Sequence, residues 1–167
     1  MTHRISRDEM YLQMCESLAE RSTCPRRKVG CILVDKHGRI LSTGYNGVAS
    51  GRPHCNEGHP CPGADFASGE GLDKCEAIHA EQNAVLLLHD PWMVETVYLT
   101  VSPCLSCIKL LLGTSAKRIV CRGIYAHAQA LTWWHRAGRE LLELPGSPLE
   151  PDYIVDGVDT RHLGDGR

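Results

Sequence analysis

The chain has 167 residues, with 18 Lys and Arg set against 20 Asp and Glu and a net charge of −2. That length reads as a single domain with its own core, since folding hides about two-thirds of the surface of a chain this size. The charge balance argues against long nucleic acid as a partner, because phosphate backbones select a strong basic excess, and no apolar run reaches the ~20 residues of a membrane span.

In chain order, Met10, Tyr11, Met14, Cys15 and Leu18 recur at helical spacing, which predicts an amphipathic helix over residues 7–20. Residues 29–34 form an apolar, β-branched run. The turn residues Asp35, Lys36, His37 and Gly38 follow, and residues 39–45 resume an extended pattern, so a β-hairpin is expected. Residues 46–75 are rich in Gly, Pro, Cys and His and show no periodicity. A stretch of that length inside a compact domain needs something to order it, and a metal staple is one answer. Further helices are expected over residues 76–88, 106–112 and 126–137, with strands over 96–101, 117–121 and 140–144. Helices alternating with strands predict a three-layer α/β/α sandwich around a mixed five-stranded sheet. The domain is expected over residues 1–145, and residues 146–167 read as a C-terminal tail rich in Pro, Gly and Asp.

The first residues, Met1 to Asp8, lack the apolar stretch of a signal peptide, which points to the cytoplasm. The cysteines number nine, an odd count for a disulfide framework. Reduced thiols follow, and clustered ones with histidine suggest metal. Cys15, Cys31 and Cys121 lie in apolar stretches without a partner at ligand spacing and read as small buried hydrophobes.

Two short motifs carry the chemistry. The first is His79-Ala80-Glu81, and the second is Pro103-Cys104-Leu105-Ser106-Cys107. One imidazole and two thiolates make a three-ligand zinc set, which leaves the fourth tetrahedral position open for water. Cys104 and Cys107 stand i, i+3 at a helix start, so both sulfurs fall on one side. A helix N-terminus also favours the thiolate that zinc requires. Glu81 lies two residues beyond His79 and cannot easily chelate beside it, but it suits a general acid/base at the open position. This ordered pair is the signature of zinc nucleobase deaminases. Either motif alone is weak: His-Ala-Glu recurs by accident, and Cys-x-x-Cys also serves redox and structural zinc sites.

The likeness extends to the segments Ser22-Thr23-Cys24-Pro25-Arg26-Arg27-Lys28-Val29-Gly30, Gly44-Tyr45-Asn46-Gly47, Pro53-His54-Cys55 and Ser102-Pro103-Cys104. In that order, across about residues 5–144, the chain resembles the deoxycytidylate deaminase family. The resemblance implies a cytidine deaminase-like fold and hydrolysis of dCMP to dUMP and ammonia, which supplies dUMP for thymidylate synthesis. It implies a catalytic zinc on His79, Cys104 and Cys107, with Glu81 moving the protons. Asn46 matches the sugar-binding asparagine, Ser102 lies beside the base pocket and Tyr125 at its rim. Arg26, in the basic run 26–28, is the expected phosphate ligand. Cys24 and Cys55 match positions that carry a structural zinc in many members; Cys61 and Cys75 complete a thiolate set, with His59 or His54 as substitutes. Many members are hexamers regulated by dCTP and dTTP, which allows Mg2+ to enter with a nucleotide effector.

Three positions depart from the family's pattern. Ala49 stands where proline is common, Ala126 where an acidic residue is common, and Cys75 is four rather than five residues before His79. They bear on regulation, on the pocket rim and on the second zinc. Two other functions compete with dCMP deamination. One is deamination of a 5-modified dCMP or another cytosine nucleotide or nucleoside. The other is a non-catalytic, zinc-stabilised binding protein, against which Glu81 weighs, since a purely structural site has no use for that carboxylate.

Overall fold

The computed structural model describes residues 4–67, 70–125 and 128–146. The first helix, α1 (Arg7–Ala19), is capped by Ser6, whose hydroxyl accepts from the Glu9 N–H at 3.0 Å, with Asp8 and Glu9 in its first turn. The hairpin follows as β1 (Gly30–Val34) and β2 (Ile40–Tyr45). A two-residue strand β3 (Gly47–Val48) pairs antiparallel with β4 (Ala77–Ile78), and α2 (Ala80–Leu86) begins directly after it. Then come β5 (Thr96–Val101), α3 (Leu105–Leu112), β6 (Arg118–Gly123), α4 (Ala128–Arg136) and β7 (Glu140–Glu143).

The main sheet has five strands in the order β2-β1-β5-β6-β7. β1 runs antiparallel to both β2 and β5, while β5, β6 and β7 are parallel, so the expected mixed five-stranded sheet is present. Its central strands are buried on both faces, and side chains divide by the period of two. Cys31, Leu33, Val97, Leu99, Ile119 and Cys121 meet α2, α3 and α4 on one side. Ile32, Val34, Tyr98 and Val120 meet Tyr11, Leu12 and Cys15 of α1 on the other. Each fully buried Leu or Ile contributes about 1.5–3 kcal/mol, so these two apolar layers fix the sandwich. Cys15, Cys31 and Cys121 are fully buried within them, and burial pushes all three thiols up.

Two expectations change. The buried stripe of α1 is Tyr11, Leu12, Cys15 and Ala19, whereas Met10 and Met14 are each 38% exposed. Ion pairs from Asp8 to Arg118 and from Glu9 and Glu16 to Arg122 set the helix's rotation. The helix expected over 76–88 starts later. Ala77 and Ile78 are drawn into the small sheet with β3, and His79, with extended backbone angles, is the N-cap of α2. Periodicity alone cannot see that pairing, because its partner strand lies far back in the chain. Residues 126 and 127 of the expected fourth helix, and residues 147–167 of the expected tail, lie outside the described residues.

Candidate active site

Two helix starts converge at the end of β5. His79 is the N-cap of α2, and its N–H donates to Gln82 Oε1 at 2.8 Å. Cys104 is the N-cap of α3, and Cys107 lies in that helix's first turn. Gly44 of β2 is what lets α2 come so close. A Cβ at that position would overlap the Ala80 carbonyl and the Ala84 amide, so no larger residue leaves α2 where it is. Asn83 Nδ2 adds a 2.8 Å bond to the Tyr45 carbonyl.

The result brings together His79, Cys104 and Cys107, whose ligand atoms all lie within 4.8 Å of one another. His79 Nδ1 stands 3.5 Å from Cys104 Sγ and 3.3 Å from Cys107 Sγ. Tetrahedral zinc, with bonds of about 2.3 Å to sulfur and about 2.05 Å to nitrogen, sets N···S separations of about 3.6 Å. The donor set therefore fits zinc in both chemistry and spacing. Bonds from Cys107, His79 and Ser106 hold the Cys104 thiol down at about 3. Cys107 keeps its proton in the same pairing, pushed up by Cys104 and by burial. His79 is raised by its contact with Cys104, against the effect of burial.

Glu81 is in the first turn of α2 and only 4% exposed. Burial raises its carboxyl above the ordinary range, and the nearby Cys104 thiolate adds to the shift. A carboxyl so placed binds a proton more readily than an exposed one, which suits a proton carrier.

His79, Glu81 and Cys104 line one side of a cavity of about 530 Å³, to which Arg27, Asn46, Phe66, Ser102 and Tyr125 also contribute. Asn46 is clamped: its Oδ1 accepts from the Val29 N–H at 2.8 Å and its Nδ2 donates to the Arg27 carbonyl at 2.7 Å. Ser102 Oγ accepts from the Tyr125 N–H at 2.7 Å, so the rim residue hangs on the pocket residue. Arg26 also lines the cavity, but its guanidinium donates to the carbonyls of Gly63, Phe66 and Ala67 at 2.6–2.9 Å. Three of its five N–H groups therefore tie a loop down. Sequence reasoning missed Phe66 and Leu72 on the cavity wall, since neither stands in a motif, and missed the stacking of Arg27 on Tyr125.

The four thiols expected for a second metal form a chain of contacts. Cys61 Sγ is 3.8 Å from Cys75 Sγ, Cys24 pairs with Cys75, and Cys55 with Cys61. The bond from Cys75 holds the Cys24 thiol down at about 6. Among the described residues, only His79, Cys104 and Cys107 close into a group with all ligand atoms mutually within 4.8 Å. His59 Nε2 faces Glu76 Oε2 at 3.3 Å.

Comparison with known proteins agrees with this geometry. The family profile of the cytidine and deoxycytidylate deaminase zinc-binding region matches residues 5–122. A deoxycytidylate deaminase of Mycobacterium phage D29 is 37% identical over 68% of this chain and 91% of its own length. A deoxycytidylate deaminase of Schizosaccharomyces pombe is 38% identical over 70% of this chain, and the match spans only 37% of that longer protein. The dCMP deaminase of cyanophage S-TIM5, solved in complex with dCMP and dUMP, superposes with a TM-score of 0.65 at 28% identity, covering 85% of this chain and 100% of its own. The chain belongs to the cytidine and deoxycytidylate deaminase zinc-binding family. No helix among the described residues is long and apolar enough to cross a membrane.

Proposed function

We propose that this protein deaminates dCMP hydrolytically, giving dUMP and ammonia. The observation that carries the reading is that Glu81, buried, shares the wall of one cavity with His79 and Cys104, which close with Cys107 into a metal-binding group. The relatives named for dCMP supply the substrate.

His79, Cys104 and Cys107 would hold zinc, which when bound supplies the Lewis acidity that brings the pKa of water towards neutrality. Glu81 orients the attacking water towards C4 of the cytosine ring and accepts its proton on the carboxylate. It passes that proton to ring N3, takes a second from the hydroxyl now on C4 and delivers it to the departing amino group, so that the C4–N bond breaks, the C4 carbonyl forms, ammonia leaves and Glu81 is restored. Burial serves this shuttle by raising the carboxyl's affinity for a proton. Asn46, 7% exposed, would meet the deoxyribose from its clamped position. Ser102, 3% exposed, would face the base and hold Tyr125 over it.

Residues 1–145 form the catalytic domain in this reading. Cys24, Cys55, Cys61 and Cys75 hold a second, structural zinc that orders the 46–75 segment, which the chain of thiol contacts supports. The protein is cytoplasmic, assembles as a homohexamer, answers to dCTP and dTTP with Mg2+, and feeds thymidylate synthesis. The test is ammonia release from dCMP, deoxycytidine, cytosine and 5-substituted dCMP. The expected result is a marked preference for dCMP; a preference for a free base or a 5-substituted nucleotide would replace this reading.

A further inference from the structure

The two sulfurs of the metal set sit in different surroundings. Cys107 is fully buried in the first turn of α3. Cys104 lines the cavity, and its Sγ lies 3.0 Å from the hydroxyl of Ser106. Zinc takes cysteine as the thiolate, which has lone pairs and no proton to give. In the loaded site the hydroxyl is therefore the donor, and the contact is a charge-assisted O–H···S bond.

The bond follows from the helix start. Cys104 is the N-cap of α3, with extended backbone angles, and Ser106 is the second residue of the helix. An N-cap side chain reaches forward over the first turn, where donors point back at it. Ser106 is itself exposed, so it fills no gap in the core, and alanine is at least as good a helix former. Packing and propensity give no reason for a hydroxyl at this position; the sulfur does.

The charge balance of the site gives that bond a use. Two thiolates and the Glu81 carboxylate together exceed the charge of a zinc dication. Each thiolate gives electron density to the metal and weakens its pull on water. A hydrogen bond to the thiolate draws part of that density back, as outer partners of metal ligands do.

We propose that Ser106 is a positioning residue for the deamination: its hydroxyl, donating to Cys104 Sγ, draws charge off that sulfur and keeps the bound zinc acidic towards the attacking water. The proposal rests on the reading of this site as that of a zinc deaminase.

The experiment compares the wild type, Ser106→Ala and Ser106→Thr, each checked for folding by circular dichroism. Three quantities are read: the sulfur-to-cobalt charge-transfer band of the cobalt(II)-substituted protein, zinc affinity by competition with a chelator, and kcat and KM for dCMP. Cobalt on any other thiols contributes alike to all three proteins, so the difference spectra report the Cys104 bond. In Ser106→Ala the band is expected to move to longer wavelength, because the sulfur lone pairs rise in energy without the bond. Zinc should be held at least as tightly as in the wild type, since the sulfur becomes the better donor. The kcat should fall about tenfold with KM within about twofold. Ser106→Thr keeps the hydroxyl and should return all three quantities towards the wild type. A band that does not move, or an unchanged kcat, overturns the proposal. So does zinc affinity that weakens in step with kcat, which is what loss of a mere structural support would do. A Ser106→Thr protein that behaves like Ser106→Ala, or a Ser106→Ala protein that does not fold, overturns it as well. A wild type inert on dCMP sinks the substrate reading instead, and the band and the zinc affinity still decide the Ser106 bond.

Discussion

Gly44 on β2 faces the carbonyl of Ala80 with no room for a methyl group between them. This contact ties the hairpin to the start of α2, and so to His79 and Glu81. Gly44→Ala is expected to push α2 outward and destabilise the fold by about 1–3 kcal/mol or more, as overpacking does. Zinc content and activity should fall together. Gly146→Ala, where a Cβ meets nothing within 4 Å, is the matched control. Thermal unfolding and metal analysis of the two variants check this; a Gly44→Ala protein with native zinc content would show that α2 tolerates the shift.

Asn46→Ala removes the acceptor for the Val29 N–H and the donor to the Arg27 carbonyl. Leaving those backbone groups without partners costs about 1–3 kcal/mol. The variant should melt at lower temperature and show a raised KM for dCMP, since the segment carrying Arg27 loosens. A change in KM with no change in melting temperature would confine Asn46 to substrate contact.

The docking of α1 should depend on pH. The bond from Arg118 holds Asp8 below its ordinary 3.8, and the bonds from Arg122 hold Glu9 below its ordinary 4.5. A carboxylate whose folded pKa is depressed gives stability that is present above its unfolded pKa and is lost as pH falls through the folded value. Stability should therefore hold down to about pH 5 and decline as pH falls through 4.5 and then below 3.8. Arg122→Met should cost about 2 kcal/mol at neutral pH, the carboxylate partners being partly exposed and screened, and should flatten that decline. Urea unfolding between pH 7 and 3.5 reads both; a decline as steep in the variant as in the wild type would place the titration elsewhere.

If the four-thiol cluster binds zinc, the protein should carry two zinc ions per chain, and Cys61→Ser should reduce this to one. The variant should also become more open to proteolysis within residues 46–75, because metal binding there is folding energy for a segment with little regular structure. Elemental analysis decides, and one zinc per wild-type chain at full activity would reject the second site.

Much of the architecture was legible because it is local. The strand Thr96–Val101 and the helix Leu105–Leu112 with its Gly113 stop lie within a residue of where β-propensity and capping put them. The metal set was legible for the same reason, since two short motifs at two helix starts carry it. What escaped depends on distant returns of the chain. Ala77 and Ile78 read as helix until Gly47 and Val48 pair with them. The bonds from Arg26 to the carbonyls of a loop some forty residues on have no trace in the local pattern. The rotation of α1 follows from Arg118 and Arg122, more than a hundred residues away. No pattern within a window of sequence contains those partners.

The most direct test is Glu81→Gln, assayed at once for zinc content and for ammonia released from dCMP. Glutamine keeps the shape of the side chain and cannot carry the proton, so zinc should stay bound while turnover falls by about a thousandfold or more. A variant that retains zinc and still releases ammonia near the wild-type rate would contradict the role given to this carboxylate and the mechanism built on it.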